Sequence, residues 1–239
     1  MEKVVIITGA AGNLGLAVTR KFLSENYRVV ATIEPNRQKD ADALQELSGS
    51  GISGTLEVHR IGLTNEVAVE NFVTAIIDRH DHIDAAVMLV GGYAAGGIKE
   101  TDGDAMAKML DLNFKSAYLV ARPAFKQMMA QAGGGRLVLI GARPAFDVQA
   151  GRNAIGYALS KSLLFKLAEL LNAEGKEKNV VTSIVVPSTI DTPANRAAMP
   201  EADFEAWVKP SDIAEVIYFA CSEAGIALRE TVLKVYGNA

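Results

Sequence analysis

The sequence predicts an α/β fold, with repeated βαβ units around a parallel sheet in one domain. Three observations carry this. Short β-branched runs alternate with longer amphipathic stretches along the 239 residues. Several runs are apolar at nearly every position, as strands covered by helices on both faces must be. A glycine-rich turn stands at the first strand–helix junction, in VVIITGAAGNLG.

The candidate strands, in order, are Val4–Thr8, Arg28–Ile33, Leu56–Ile61, Ala85–Val90, Arg136–Ile140, Val180–Val186 and Thr231–Val235. Between them, apolar positions recur at helical spacing in Leu14–Glu25, Lys39–Leu47, Glu66–Arg79, Asp104–Gln131, Ile155–Lys178 and Ser211–Cys221. Pro123 predicts a kink or break in the fourth helix, because proline lacks the N–H a helix interior needs. Ser211 after Pro210 is the expected N-cap of the last. Gly49–Gly54 and Gly133–Gly135 are connections.

Composition narrows the function classes. Hydrophobic content of 49% and charged content of 22% are globular usage and exclude a disordered chain. A net charge of −4 gives no basic footprint, so neither nucleic acid nor an anionic membrane is an expected partner. One cysteine, Cys221, excludes a disulfide framework and reads as a buried small apolar residue. His59, His80 and His82 have no ligand spacing; the latter two, at i, i+2, fit a solvated helix end, so no metal is expected. No secretory leader and no apolar stretch of about 20 residues is present, and a cytoplasmic protein is expected.

The chemistry begins at the first turn. Gly9, Gly12 and Gly15 let the backbone turn sharply, and a helix starting near Asn13 and Leu14 offers free N–H groups and a favourable dipole to a pyrophosphate. About 20 residues on, Glu34 follows the second strand, where a carboxylate accepts hydrogen bonds from both ribose hydroxyls and repels a 2′-phosphate. NAD(H) is therefore favoured. Arg37, which can grip a phosphate, leaves NADP(H) open.

TGAAGNLG, Asn113 in MLDLNF, YALSK and VVPSTIDTP together resemble the short-chain dehydrogenase/reductase family, in order and along the whole chain. The resemblance implies a doubly wound, seven-stranded parallel sheet of Rossmann type, a nicotinamide cofactor and hydride transfer to or from a carbonyl-like centre. It places Tyr157 and Lys161 on the catalytic pair and Asn113 on the residue that holds a relay water. The lysine is expected to lower the phenol pKa and to reach the nicotinamide ribose. Pro187, Ile190 and Thr192 match the segment that clasps the carboxamide end, and Leu63, Gly91 and Gly92 complete the expected cofactor contacts.

Departures from the family pattern are informative. Asn13 replaces the middle glycine of the turn, and asparagine tolerates unusual backbone angles. Gly62 stands where an adenine-contacting aspartate is common, MLVGG (88–92) replaces Asn-Asn-Ala-Gly, and Ala142 occupies the place of the catalytic serine. No Ser or Thr lies between Arg136 and Leu159. VGGYAAGG, LIGARPAFD, IGYALSK and TIDTPANRAAMPEADFEAW are most similar to the quinonoid dihydropteridine reductase branch, which also carries alanine there. Asn113 is instead a feature of the ordinary reductases.

The reading is a reductase delivering hydride to a conjugated, electron-poor small molecule such as a quinonoid dihydropterin, with Tyr157 as proton donor. An ordinary carbonyl or 3-oxoacyl reductase with a replaced serine is one alternative, and a non-catalytic nucleotide sensor the other. Residues 188–209 are expected to form a substrate lid. Trp207 and Phe204 lie one turn apart on it, and Tyr93 stands opposite; these aromatics either meet substrate with Ala142 or pack the lid onto the core. By resemblance, the fourth and fifth major helices pair subunits into a homodimer or homotetramer.

Overall fold

The structure is a computed structural model describing residues 2–48 and 52–237. Seven strands, β1 (Val4–Thr8), β2 (Arg28–Ile33), β3 (Thr55–Arg60), β4 (Ala85–Met88), β5 (Gly135–Ile140), β6 (Val180–Pro187) and β7 (Val232–Val235), form one sheet. The order is β3-β2-β1-β4-β5-β6-β7 and every pairing is parallel. The expected doubly wound sheet is what the chain forms.

Strand periodicity divides the core in two, because successive side chains point to opposite faces. Val4, Ile6, Ala86, Met88, Leu137 and Leu139 meet α3 (Glu66–His80), α5 (Ser116–Ala130) and α7 (Ile155–Gly175). Val5, Ile7, Ala85, Val87, Val138 and Ile140 meet α1 (Asn13–Ser24), α2 (Gln38–Ser48) and α9 (Pro210–Cys221). With water excluded from both faces, the strands have no polar side to show, and their apolar runs follow from that.

β4 stops two residues before its apolar run does. The N–H groups of Leu89 and Val90 donate to the Thr8 hydroxyl, at 3.0 and 3.5 Å, instead of to a neighbouring strand. The expected strand to Val90 is thereby corrected. The stretch expected as one helix with a break at Pro123 is also different. α4 (Gly103–Leu110) runs through a π turn (Asp111–Lys115) into α5, and Pro123 sits inside the uninterrupted α5. The helix widens where Asn113 is pulled inward by side-chain bonds, a tertiary cause that no local residue signals.

Smaller corrections concern the last helix and the histidines. Pro210 takes the first position of α9 and Lys209 is its N-cap, so Ser211 does not cap it. His80 and His82 are half-buried rather than solvated: His80 Nε2 lies 3.0 Å from Glu57, and His82 Nε2 lies 3.2 Å from Asp84. Cys221 is partly buried against the α1/α9 side of the core, and burial pushes its thiol up to about 12. Part of the Gly49–Gly54 connection lies outside the described residues. Among those described, no helix is long and apolar enough to cross a membrane.

Candidate active site

At the carboxyl ends of β1, β2 and β4 lies a cleft of about 520 Å³, bordered by the glycine turn, the Glu34–Arg37 segment, Ile61–Thr64 and Leu89–Gly91. Gly9 turns the chain with a φ of +63°, a region that costs ordinary residues but not glycine. Gly12 begins α1 without any side-chain cap, so the first-turn N–H groups from Asn13 onward lack a side-chain acceptor. Asn13 is helical and not in a left-handed conformation, so the tolerance expected of it is not used. Gly15 is buried behind the turn, where a Cβ would stand 2.1 Å from the Gly9 carbonyl oxygen. Leu14, beside it, is half-buried in the same turn. A Cβ on Gly62 would meet nothing within 4 Å, so the missing aspartate leaves open space, with Leu63 buried next to it.

Glu34 and Arg37 stand together on the rim, both largely exposed, with Arg37 Nε 3.4 Å from Glu34 Oε2. Asp40 lies on the other side of the guanidinium, at 3.9 Å. The uncapped helix end, the glycine cradle and the acidic rim fit a dinucleotide: donors for its phosphates, room for its backbone approach and acceptors for ribose hydroxyls.

Lys161 sits deeper. Its Nζ donates to the carbonyl of Ile140 at 2.9 Å, linking α7 to the end of β5, and burial lowers its pKa to about 8. Tyr157, one turn earlier, is half-buried, and its phenol is pushed up to about 12, chiefly by burial and then by the neighbouring Tyr93. The expected lowering by Lys161 is thus not found. The ammonium is turned to the Ile140 carbonyl, and loss of water around the phenol sets the direction of its shift. The rings of Tyr157 and Tyr93 meet edge to face, with centroids 5.2 Å apart.

Asn113, fully buried in the π turn, organises the surroundings. Its Oδ1 accepts from Gly92 N and its Nδ2 donates to Gly92 O, both at 3.0 Å, and the same Nδ2 donates to Ser160 Oγ at 3.1 Å. Ser160 in turn donates to the carbonyl of Tyr157 at 2.9 Å. Gly91 is the narrow point, where a Cβ would lie 2.7 Å from Asn113 Oδ1 and 3.1 Å from Lys161 Nζ. Ser160 and Thr8 were not among the sequence candidates. The serine's place between Tyr157 and Lys161 in YALSK was the available signal, whereas nothing local marked Thr8.

Ala142 is buried at the start of a 3-10 turn, Arg143–Ala145, just past β5. Pro187 ends β6 and the arm that follows carries Ile190 and Thr192; none of the three borders the cleft. Ile190 bridges to Val208, and Thr192 caps a short helix, α8 (Pro193–Ala198), through Asn195 N. On this arm Arg196 grips Asp191 with two bonds, 2.6 and 2.8 Å, and lies 4.7 Å over the Phe204 ring. Phe204 packs on Trp207 at 4.8 Å. Among the described residues Trp207 has no ring contact with Tyr93 or Tyr157, so the structure joins Tyr93 to the tyrosine but leaves Trp207 within the arm.

Residues 3–203 match the short chain dehydrogenase family. An acetoacetyl-CoA reductase of Acinetobacter sp. (strain RA3849) is 25% identical over 99% of this chain and 97% of its own. A dihydropteridine reductase of Dictyostelium discoideum is 26% identical over 91% of this chain and 87% of its own. A short-chain type dehydrogenase/reductase from Mycobacterium ulcerans superposes with a TM-score of 0.90 over 100% of this chain and 90% of that one, at 24% identity, a likeness of fold. The glycine turn, the Tyr157/Lys161 pair and the matched length make this chain a member of the short-chain dehydrogenase family.

Proposed function

We propose that the protein is an NADH-favouring reductase of conjugated, electron-poor acceptors such as quinonoid dihydropterins, with Tyr157 as proton donor. The observation that carries this is the Tyr157/Lys161 pair on α7, with Lys161 bound to the Ile140 carbonyl two residues before the buried Ala142, and with the exposed ring of Tyr93 edge to face against the tyrosine. A reduced nicotinamide in the cleft supplies hydride. Lys161 anchors α7 and offers its ammonium to the nicotinamide ribose, and Gly91 gives that end of the cofactor room. Gly9, Gly12 and the α1 N-terminus would hold the phosphates and Glu34 the adenosine ribose, while Pro187, Ile190 and Thr192, outside the cleft itself, would meet a carboxamide end reaching beyond it.

Chemistry explains why the serine is dispensable. A ketone oxygen becomes a localised alkoxide, and removing one donor to such an oxyanion costs roughly 10²–10³ in rate. In a quinonoid ring, charge spreads over the heterocycle, so the requirement falls and an alanine leaves space for a flat bicycle. The arm at 188–209 acts as the lid. The test is NADH oxidation with quinonoid dihydropterin, quinones and simple ketones. Turnover of ketones alone sinks the reading.

The bonds of Asn113 favour a second reading, an ordinary carbonyl or 3-oxoacyl reductase, as does the similarity to an acetoacetyl-CoA reductase. The same substrate panel separates the two. A nucleotide sensor would bind cofactor tightly and be indifferent to Tyr157→Phe.

For assembly, the exposed apolar side chains of α7 (Leu159, Leu163 and Leu170) and Tyr118 of α5 support pairing of two copies through these helices. Light scattering on the wild type and on Leu163→Glu tests it; an unchanged mass for the variant counts against it.

A further inference from the structure

We propose that the Tyr93 hydroxyl takes the hydrogen-bonding place that Ala142 leaves empty, donating to the substrate heteroatom that Tyr157 protonates. This rests on the reductase reading above. The stretch between β5 and α7 supplies no hydroxyl of its own, and the nearest ones inside α7 are committed. Ser160 Oγ donates to the Tyr157 carbonyl and accepts from Asn113, and Ser162 Oγ donates to the Leu159 carbonyl. Thr8 is held by the N–H groups of Leu89 and Val90. Among the described residues, the hydroxyls of Tyr93 and Tyr157 have no hydrogen-bond partner within the chain.

Tyr93 is placed there by its backbone. Behind it, both polar groups of Gly92 are bonded to the Asn113 amide. Ahead of it, Gly96 N donates to the Asn153 carbonyl at 2.8 Å, and the Gly96 carbonyl accepts from Ile155 N at 2.9 Å, fixing the loop to the start of α7. Between these anchors stand only Tyr93, Ala94 and Ala95, so one functional side chain is presented. The ring lies edge to face against Tyr157 yet is 67% exposed, which is a high exposure for an aromatic on so restrained a backbone. The two phenols also interact electrostatically, since Tyr93 contributes to the raised pKa of Tyr157. A flat acceptor entering over Tyr157 covers that ring and meets both hydroxyls.

The balance of the step is simple. Hydride from a reduced nicotinamide dinucleotide would enter one end of the conjugated quinonoid system, whose π electrons shift through the ring to a heteroatom at the other end as it becomes aromatic. Tyr157 gives that heteroatom its proton and recovers one from solvent, while the dinucleotide leaves oxidised by two electrons. Tyr93 keeps its proton throughout and only donates a hydrogen bond as charge builds.

The experiment compares Tyr93→Phe, which retains the ring contact, with the wild type. With quinonoid dihydropterin, kcat is expected to fall about 10- to 100-fold while KM rises by no more than about fivefold, and adding Ala142→Ser to that variant is expected to restore much of the loss. Independently of turnover, quenching of pterin fluorescence should report affinity about fivefold weaker for Tyr93→Phe, with NADH affinity unchanged. Equal kcat and equal pterin affinity in the two proteins overturn the proposal, as does a wild type that binds no pterin. Failure of the reductase reading looks different: Tyr157→Phe keeps its full rate, or no quinonoid acceptor is reduced while pterin still binds.

Discussion

Asn113 and Ser160 meet in the interior, amide nitrogen to hydroxyl oxygen at 3.1 Å, and so tie the widened turn between α4 and α5 to the helix that carries Tyr157. Through the same amide the Gly91–Gly92 turn is fixed. Replacing Asn113 by Leu leaves the N–H and C=O of Gly92 without a partner in a confined place, at about 1–3 kcal/mol each. Urea unfolding is expected to show a loss of about 2–4 kcal/mol, with turnover reduced as well. A stability within error of the wild type refutes this.

Lys161 makes stability depend on pH in a defined window. Its folded pKa is about 8 against an ordinary 10.5. Between those values the unfolded chain therefore holds the extra proton, and stability rises with pH. Lys161→Met should remove that rise and be more stable than the wild type at pH 7 by roughly 1–3 kcal/mol. Thermal melts across pH 7 to 10 decide it. Tyr157 acts in the opposite sense at higher pH, since its raised pKa makes stability fall above pH 10.

At the cleft rim, Glu34 and Arg37 stand 3.4 Å apart, and under the proposed cofactor placement both would face the adenosine ribose. Glu34→Gln removes the charge that repels a 2′-phosphate and releases Arg37 from its 3.4 Å partner. Because the pair is exposed, the effect is limited, and the ratio of NADH to NADPH affinity should fall by about three- to tenfold. Dissociation constants for both cofactors measure it. No change in their ratio would show that Glu34 does not face the ribose.

On the arm after β6, Arg196 joins Asp191 to the Phe204 ring. Arg196→Ala should speed hydrogen exchange through residues 190–208 while leaving global stability nearly unchanged, since the arginine of the ion pair is exposed to solvent. If the arm is the lid, KM for the acceptor rises more than kcat falls. An unaltered exchange rate removes Arg196 from that role.

Much of the fold was legible because it depends on local pattern. β1 and β2 begin and end where their apolar runs do, and the order of strand, turn and helix follows from alternation alone. Gly9 and the Tyr157/Lys161 pair were equally plain, being set by a turn and by one helical step. What escaped depends on distant partners. β4 is shortened by a hydroxyl 81 residues earlier in the chain, and the helix widens at Asn113 rather than at Pro123 because Gly92 and Ser160 draw the amide inward. The direction of the tyrosine's titration was misjudged for the same reason. Spacing shows that a lysine is near, but only the packed structure shows how little water remains.

The hydroxyl of Thr8 has a wider consequence than ending a strand. It stands where neighbouring strands begin to run off in opposite directions across the sheet, with β2 to one side of β1 and β4 to the other. By accepting from two amides beyond the last ladder pair, it satisfies the main chain at a fork where the lattice parts. A valine of nearly equal size at that position would strip two amides at the lip of the crevice of their acceptor, while leaving Tyr157, Lys161 and Asn113 as they are.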